Sequence, residues 1–497
     1  MPRTVSLSTD HRGQGKWRTQ QMGWGDEAVS RIPARLRITS RNRITPLGRN
    51  NKRSGGGASA RLDGGLASDP GSSTPASPTT DLSPPFVRAL LLSRGGSGAP
   101  AEPPSGESFS LMQVRNENYV PSDGQNSSCG LEAMLRAYAK YHVPLTAELS
   151  TAIRLNVGLA GAVNKRAGTA TGTVAASPPP IGYDLEYITP VKIGTPPQTI
   201  NVVLDTGWVM SSDTPSKQRT THAIYRPGRS STARRVSRTT WNIGYGDGSG
   251  AGGIVYRDKV SLGRASFARQ TVQGAQWVSD MFTRDVHISG IMGMGMSSGS
   301  TVRPSPAKTF MDNMRPSLRQ PLFTANLKKG KAGNFNFGYV NRAEYTGGIA
   351  YSAASRSSIY WEITVDGYQL APDAYQRRPW RAIVDTGTTL LLLPDAMVRA
   401  YYAKVPGTRY DAGYAAFVFP CNARLPDFRF GIGGYRGLVP GRYINYGYIN
   451  PTTCYGGIQS SEGIGISILG DILLKAQFVV FDLGRMRVGF ANKKLET

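Results

Sequence analysis

Two short segments of the chain share one pattern of apolar and polar positions. Each is an apolar run rich in β-branched residues that ends in the tripeptide Asp-Thr-Gly, at Asp205 in the first segment and at Asp385 in the second. In the second segment another apolar run follows, up to Leu393. Apolar runs bounded by turn residues indicate buried strands. An acid between buried strands is costly unless it has partners or a task, so a buried Asp that only holds a turn is the alternative for either segment alone.

The two segments are copies of one larger pattern. Asp385 follows Asp205 by 180 residues, and each is followed by two apolar residues and a glycine, 86 residues later at 291–293 and 83 residues later at 468–470. Two copies at nearly the same lag indicate a duplicated unit. A twofold-related duplication brings the two aspartates together at its axis, where adjacent carboxylates share one proton. Such a pair can activate a water molecule and protonate a carbonyl without a metal or a covalent nucleophile.

The rest of the pattern is that of a turn-rich β protein. The 59 glycines and 33 prolines are many, and helix-period stretches are few. Residues 130–141 are the exception, because helix formers there place apolar side chains on one face. Residues 187–198 predict a strand and a turn, and the runs that predict further strands cover residues 253–256, 321–324, 334–340 and 478–482.

The first 108 residues have a different composition. They are rich in Arg, Gly, Ser and Pro with little apolar periodicity, so we expect a disordered tail at 1–108. No apolar leader follows Met1, and a misassigned gene start is the expected reason, with a non-secreted variant as the alternative. No run approaches the roughly 18 apolar residues of a membrane span, so no membrane partner is expected.

The chain is strongly basic, with a net charge of +25. Nucleic-acid binding therefore has to be considered. The basic residues are scattered, however, and the 37 Lys and Arg against 21 Asp and Glu after residue 180 leave +16 there rather than in the tail alone. We interpret the charge as a solvated basic surface and expect no nucleic-acid partner.

The two Asp-Thr-Gly segments, and the two apolar residues and glycine that follow each of them, make the chain resemble the pepsin family of aspartic endopeptidases. The resemblance is greatest to the secreted fungal penicillopepsin and aspergillopepsin type. The resemblance covers roughly residues 109–491 and implies an all-β, two-lobed fold with a pseudo-twofold axis. It implies four parts, which are the tail, a pro-segment at 109–166, an N-terminal lobe at 167–348 and a C-terminal lobe at 349–497. The fungal relatives are usually acidic proteins, so the basic charge is a departure.

The resemblance also implies roles for individual residues. Asp205 and Asp385 would be catalytic. The residues expected to support them are Thr206, Gly207, Trp208, Thr386 and Gly387. The residues expected to bind substrate are Tyr245, Gly246, Asp247, Thr388 and Thr389.

Tyr245 lies in a glycine-rich segment, residues 243–250, that predicts a mobile hairpin tip. A phosphate cradle would need a helix behind the glycines, and a strand is predicted there instead. By the resemblance the hairpin is the flap that closes over substrate, with a plain hairpin as the alternative.

The resemblance assigns a task to the helix at 130–141 as well. It would belong to an inhibitory pro-segment, with Lys140 over the two aspartates at neutral pH and released when acid protonates them. The family has one disulfide in the second lobe, where Cys421 and Cys454 lie, and that bridge would stabilise the fold by roughly 3 kcal/mol. Two free buried thiols are the alternative, and Cys129 would be unpaired in either case.

The segment after Gly207 departs from the family. The family continues with Ser-Ser or Ser-Ala and two more residues before Trp-Val, whereas Gly207 is followed directly by Trp208 and Val209. The missing part, about four residues, includes a Ser that hydrogen-bonds the first aspartate and helps set its share of the proton. A deletion in the protein and an exon-boundary error both explain the gap. Ser289 also replaces the family's usual Asp.

From these features we expect a secreted, extracellular aspartic endopeptidase, a monomer that hydrolyses polypeptide substrates at acidic pH with no cofactor and no metal. Large apolar side chains flanking the cut are expected to be preferred, again by resemblance. The alternative is a catalytically impaired, peptide-binding homologue, motivated by the shortened loop after Gly207.

Overall fold

The computed structural model describes residues 6–9, 15–18, 106–115, 129–155, 187–206, 211–212, 223–244, 250–279 and 288–495. The chain divides into two compact units, Met1–Gly95 and Gly96–Thr497. In the first unit the described residues form one antiparallel pair of strands. The rest of the predicted disordered tail, up to residue 105, lies outside the described residues.

Strands dominate the described part of the chain, which confirms the all-β prediction. In the first half they are β1 (Ser6–Thr9), β2 (Gly15–Arg18), β3 (Phe109–Met112), β4 (Val114–Arg115), β5 (Tyr187–Ile193), β6 (Gln198–Asp205), β7 (Ser211–Ser212), β8 (Arg234–Gly244), β9 (Gly250–Leu262), β10 (Ala265–Val278), β11 (Gly290–Gly293), β12 (Val302–Arg303), β13 (Leu322–Asn326), β14 (Asn334–Phe337) and β15 (Thr346–Ala353). In the second half they are β16 (Glu362–Val365), β17 (Gly367–Leu370), β18 (Trp380–Val384), β19 (Leu391–Leu393), β20 (Arg409–Asp411), β21 (Ala416–Pro420), β22 (Phe428–Ile432), β23 (Tyr435–Val439), β24 (Asn445–Tyr448), β25 (Thr453–Gly456), β26 (Ile458–Ser460), β27 (Ser467–Leu469), β28 (Gln477–Asp482) and β29 (Arg487–Asn492).

The helices of the described residues are short. They are α1 (Cys129–Lys140), α2 (Ala147–Leu155), α3 (Phe310–Met314), α4 (Asp395–Tyr402), α5 (Gly441–Ile444) and α6 (Asp471–Leu474). Single 3₁₀ turns lie at Pro227–Arg229, Ser297–Gly299, Arg315–Ser317 and Arg342–Glu344. Over the residues that are described, no helix has the length and apolarity needed to cross a membrane.

The same three-strand arrangement occurs in both halves. In the first, β11 lies between β6 and β7, parallel to β6 and antiparallel to β7. In the second, β27 lies between β18 and β19 with the same two directions. The Asp-Thr-Gly segments predict β6, β18 and β19, the apolar-apolar-Gly segments predict β11 and β27, and the short strand β7 was not predicted. The apolar-apolar-Gly segments recur in the sequence because each supplies the parallel strand beside an aspartate.

A six-stranded sheet joins segments from distant parts of the chain. Its order is β15-β29-β28-β13-β14-β3, so it takes strands from both halves and, at one edge, from Phe109–Met112. Every residue of β28 is buried, as the apolar run at 478–482 predicts. Phe323 of β13 stacks on Phe481 of β28 with ring centroids 4.7 Å apart. Aromatic stacking across neighbouring strands therefore ties the two halves into one core.

The nine-stranded sheet carries the long hairpin in which the flap is predicted. Its order is β12-β8-β9-β10-β7-β11-β6-β5-β4, and β8 pairs with β9 up to Gly244 and Gly250. Residues 245–249, the predicted flap tip, lie outside the described residues. In the second half, Cys421 and Cys454 form a disulfide, which confirms that pairing.

Candidate active site

Asp205 and Asp385 each come directly at the end of a buried strand. Asp205 is the last residue of β6, and Asp385 follows the last residue of β18. Each backbone is fixed by the neighbouring parallel strand, since the carbonyl of Asp205 accepts from Met294 N at 2.7 Å and the amide of Asp385 donates to Leu469 O at 3.1 Å. The duplicated sequence pattern thus gives both acids an equivalent position in their halves.

Two threonines lock these strand ends together. The amide of Thr386 donates to Oγ1 of Thr206 at 2.9 Å, and the amide of Thr206 donates to Oγ1 of Thr386 at 3.2 Å. Each hydroxyl in turn donates across to a backbone carbonyl of the other half, Thr206 to Val384 O at 3.0 Å and Thr386 to Leu204 O at 2.8 Å. Four reciprocal hydrogen bonds, all buried, therefore fix the relative position of the two loops.

The two carboxylates are buried and close together. Asp205 is 3% exposed and Asp385 is 0% exposed. A Cβ atom added to Gly387 would lie 2.1 Å from Oδ2 of Asp205, so the loop of the second half passes directly against the first acid. Only glycine fits at this position, because any side chain would displace the carboxylate.

Asp385 has hydrogen-bond donors from its own loop. The amide of Gly387 donates to Oδ1 at 3.0 Å, and the hydroxyl of Thr388 donates to Oδ2. Donors of this kind favour the ionised carboxylate and hold its orientation. Thr389, the next residue along, is half-buried, and its carbonyl accepts from Ile472 N at 3.0 Å.

Lys140, the last residue of α1, bridges the two acids. Its Nζ lies 2.7 Å from Oδ1 of Asp205 and 2.8 and 2.7 Å from the two oxygens of Asp385. One ammonium group thus contacts carboxylates that are 180 positions apart in sequence, which places both acids around one point. This is the position that the family resemblance implied for Lys140.

Tyr141 is a site residue that the sequence reasoning missed. Its hydroxyl donates to Oδ2 of Asp385 at 2.7 Å, and its ring packs edge-on against Tyr360 at 5.4 Å between centroids. The available signal was its place beside Lys140 at the end of the predicted helix, but helical periodicity does not reveal how the chain turns after the last residue.

Burial and mutual contact shift the pKa values of the site's titratable groups. Burial pulls the pKa of Asp385 upward, but the charge and hydrogen bond of Lys140, with the bonds from Thr388 and Tyr141, reverse this and leave the pKa below its ordinary value. Burial likewise disfavours the charged form of Lys140, and the two aspartates outweigh it, so that its pKa is raised. Burial, with Asp385 beside it, raises the pKa of Tyr141 well above normal. The site therefore holds one ammonium group between the two acids.

The remaining predicted site residues lie outside the described part of the chain. They are Gly207, Trp208, Tyr245, Gly246 and Asp247. The shortened loop and the flap tip consequently stay predictions.

Comparison with known proteins places this geometry in context. The sequence model of the eukaryotic aspartyl protease family matches residues 186–493, which is more than half of the chain and includes both aspartates. The chain is 44% identical to podosporapepsin of Podospora anserina over 398 residues, covering 78% of this chain and 92% of that protein. It is 43% identical to endothiapepsin of Cryphonectria parasitica over 392 residues, covering 78% and 90%. It is 42% identical to aspergillopepsin-1 of Aspergillus oryzae over 362 residues, covering 72% and 87%.

Proposed function

This chain belongs to the eukaryotic aspartyl protease family and is an aspartic endopeptidase, and from that premise we propose that Asp205 and Asp385 carry out the hydrolysis. The observation that supports these two residues is their common contact with one ammonium group, 2.7 Å from Oδ1 of Asp205 and from Oδ2 of Asp385. A position within hydrogen-bond distance of both acids is where an attacking water would have to lie.

In the proposed reaction the two acids share one proton. The ionised carboxylate removes a proton from the water molecule while the water oxygen bonds to the peptide carbonyl carbon. The protonated carboxyl donates its proton to the carbonyl oxygen, which gives a tetrahedral diol. Collapse of the diol breaks the carbon–nitrogen bond, and a proton passes to the leaving amine. Because one acid must be protonated, activity is expected in acid.

The supporting residues hold this arrangement. Thr206 and Thr386 fix the loops, Gly387 permits close approach, and Thr388 orients Asp385 through its hydroxyl. Substrate would lie extended between the lobes, with Tyr245, Gly246 and Asp247 closing over it and Thr389 beside it.

We further propose that the chain is made as an inactive precursor. Strand β3 occupies the edge of the six-stranded sheet, and α1 ends with Lys140 and Tyr141 on the two acids. A water molecule and a substrate carbonyl cannot occupy the same space as this ammonium group. The pro-segment, proposed at 109–166, therefore blocks the site until it is released, with lobes proposed at 167–348 and 349–497.

Extracellular action by a monomer is part of the same proposal. The disulfide between Cys421 and Cys454 supports an oxidising compartment. The impaired, peptide-binding alternative receives no support from the three relatives reported above, which are named podosporapepsin, endothiapepsin and aspergillopepsin-1.

Acid-phase digestion of a denatured protein by the processed chain tests the proposal. We expect cleavage that a statyl transition-state mimic blocks. Correctly folded, processed enzyme that binds the mimic but cuts nothing would favour the impaired homologue instead.

A further inference from the structure

Four arginines line one depression on the outer part of the nine-stranded sheet. The depression has a volume of about 580 Å³, and its polar lining consists of Arg234, Arg235, Arg257, Arg269, Thr232 and Ser237. All four arginines are exposed. Residues 223–279 contain nine Lys and Arg against only Asp247 and Asp258, so the segment that forms the depression is strongly basic.

The arrangement of the arginines is unfavourable without an anion. Arg234 of β8 lies directly opposite Arg257 of β9 in the strand register. Like charges opposite each other on neighbouring strands destabilise a sheet. A bound anion would convert that repulsion into attraction.

The acid adjacent to Arg257 in sequence does not supply the missing charge. Asp258 follows Arg257 but is fully buried, and its carboxylate accepts from Tyr225, Thr232 and the amide of Lys259 at 2.6 to 2.7 Å. The guanidinium of Arg234 donates through Nη1 to the carbonyls of Ser231 and Ala233. Within the described part of the chain, no carboxylate lies at salt-bridge distance from these four arginines.

Backbone irregularities shape the depression. The β8–β9 register shifts between Arg235 and Thr240, and Arg238 within that shift has a φ of 56°, in the left-handed region. On the other side, the β10–β9 register shifts between Phe267 and Gln270, a stretch that contains Arg269. Bulges of this kind bend a strand and re-aim its side chains, here so that arginines from three strands border one space.

We propose that this depression binds a multivalent oxyanion, a phosphate or sulfate group. Guanidinium groups match such oxygens with paired hydrogen bonds, and the hydroxyl of Ser237 adds a further donor. Arg234 lies ten residues, roughly 30 Å along the strand, from the hairpin end at Gly244, and the lining of the depression includes neither of the two aspartates nor Lys140. Anion binding at this depression would account for part of the positive charge of the chain.

Titration calorimetry on the full-length chain at constant ionic strength tests the proposal. The two probes are inorganic pyrophosphate, as a free ion, and a short sulfated oligosaccharide, as a group carried on a polymer. We expect saturable binding of at least one probe, and the tighter one identifies the source of the anion. In R234Q/R257Q the Kd is expected to rise roughly a hundredfold, because two charge-assisted hydrogen bonds are lost.

Matched variants separate a built site from general charge. R356Q/R378Q removes two exposed arginines from the other half and is expected to change the Kd by less than about twofold. Arg257→Glu places an opposite charge across from Arg234, so we expect an unchanged or higher Tm together with lost binding. The proposal is overturned if neither probe binds saturably, if both double variants weaken binding equally, or if folded Arg257→Glu binds as tightly as the original chain.

Discussion

Thr206 and Thr386, 180 positions apart, exchange the same hydrogen bond in both directions, amide to hydroxyl. Neither half of the chain can complete this exchange alone. The position of Asp205 relative to Asp385 therefore depends on two side chains from different halves, and both are buried.

Replacing either threonine by valine is expected to destabilise the enzyme and to reduce its activity. Valine keeps the shape of the side chain but removes a hydroxyl that both accepts and donates a hydrogen bond. The buried groups left unpaired are expected to lower the free energy of unfolding by about 1–3 kcal/mol. Denaturant unfolding measures the loss, and kcat on a peptide measures the effect on the acids. Thr346→Val, which removes an exposed hydroxyl bonded to Asn492 O, is the control. Equal small losses in all three variants would show that the exchange does not hold the loops.

Lys140→Met is expected to loosen the precursor at neutral pH. The change leaves two buried carboxylates without their cation, and breaking a buried pair in this way costs about 3–5 kcal/mol. Hydrogen exchange of residues 129–155 in the precursor is the measurement, and exchange at least about a hundredfold faster is expected. Arg154→Gln, an exposed change in the following helix, is the control.

The same contact gives the precursor a pH dependence of known sign. The pKa of Asp385 is lowered from 3.8, so its stabilisation is present above that pH and lost as the pH falls through the lowered value. The pKa of Lys140 is raised from 10.5, so its contribution is complete below 10.5 and is lost only as the pH rises through the raised value. Protection of α1 should fall in acid in the original precursor and vary much less in Lys140→Met. Identical pH profiles would contradict the assignment.

Thr388→Val is expected to move the pH profile of the processed enzyme. The Thr388 hydroxyl lowers the pKa of Asp385, so removing it raises that pKa and shifts the acid limb of kcat/KM upward in pH. Thr389→Val removes the hydroxyl of the neighbouring residue and serves as the matched comparison. A lower rate with an unmoved acid limb in Thr388→Val would indicate a structural role alone.

Removing the disulfide is expected to lower stability without touching the acids. The bridge closes a loop of 33 residues, which corresponds to about 3 to 4 kcal/mol in the chain-entropy description. Denaturant unfolding of the Cys421→Ala/Cys454→Ala variant measures this loss. An unchanged midpoint would mean that the second half does not depend on the bridge.

Local sequence patterns predict the parts of this protein that repeat. The apolar runs before Asp205 and Asp385 and the apolar-apolar-Gly segments at 291–293 and 468–470 predict the strands, their burial and their duplication, because each strand needs its own apolar residues. The structure adds a detail that these patterns do not predict, which is the close approach of Gly387 to Asp205.

Contacts between distant segments are harder to predict. Tyr141 reaches Asp385 because the chain turns at the end of α1, and no periodicity encodes that turn. The arginines of the depression appear scattered in sequence, at 234, 235, 257 and 269, and come together only through strand register and two bulges. Pairing across strands, rather than composition, concentrates the charge there.

The central claim is that Asp205 and Asp385 act as one catalytic pair, and substituting each in the processed enzyme tests it most directly. Asp205→Asn and Asp385→Asn are each expected to lower kcat at acidic pH by at least about a thousandfold while the fold is kept, because each removes one half of the acid–base pair. Asp373→Asn, which changes a partly exposed aspartate paired with Lys404, should leave kcat unchanged. Either folded active-site variant cleaving a peptide at the rate of the original enzyme would contradict the account.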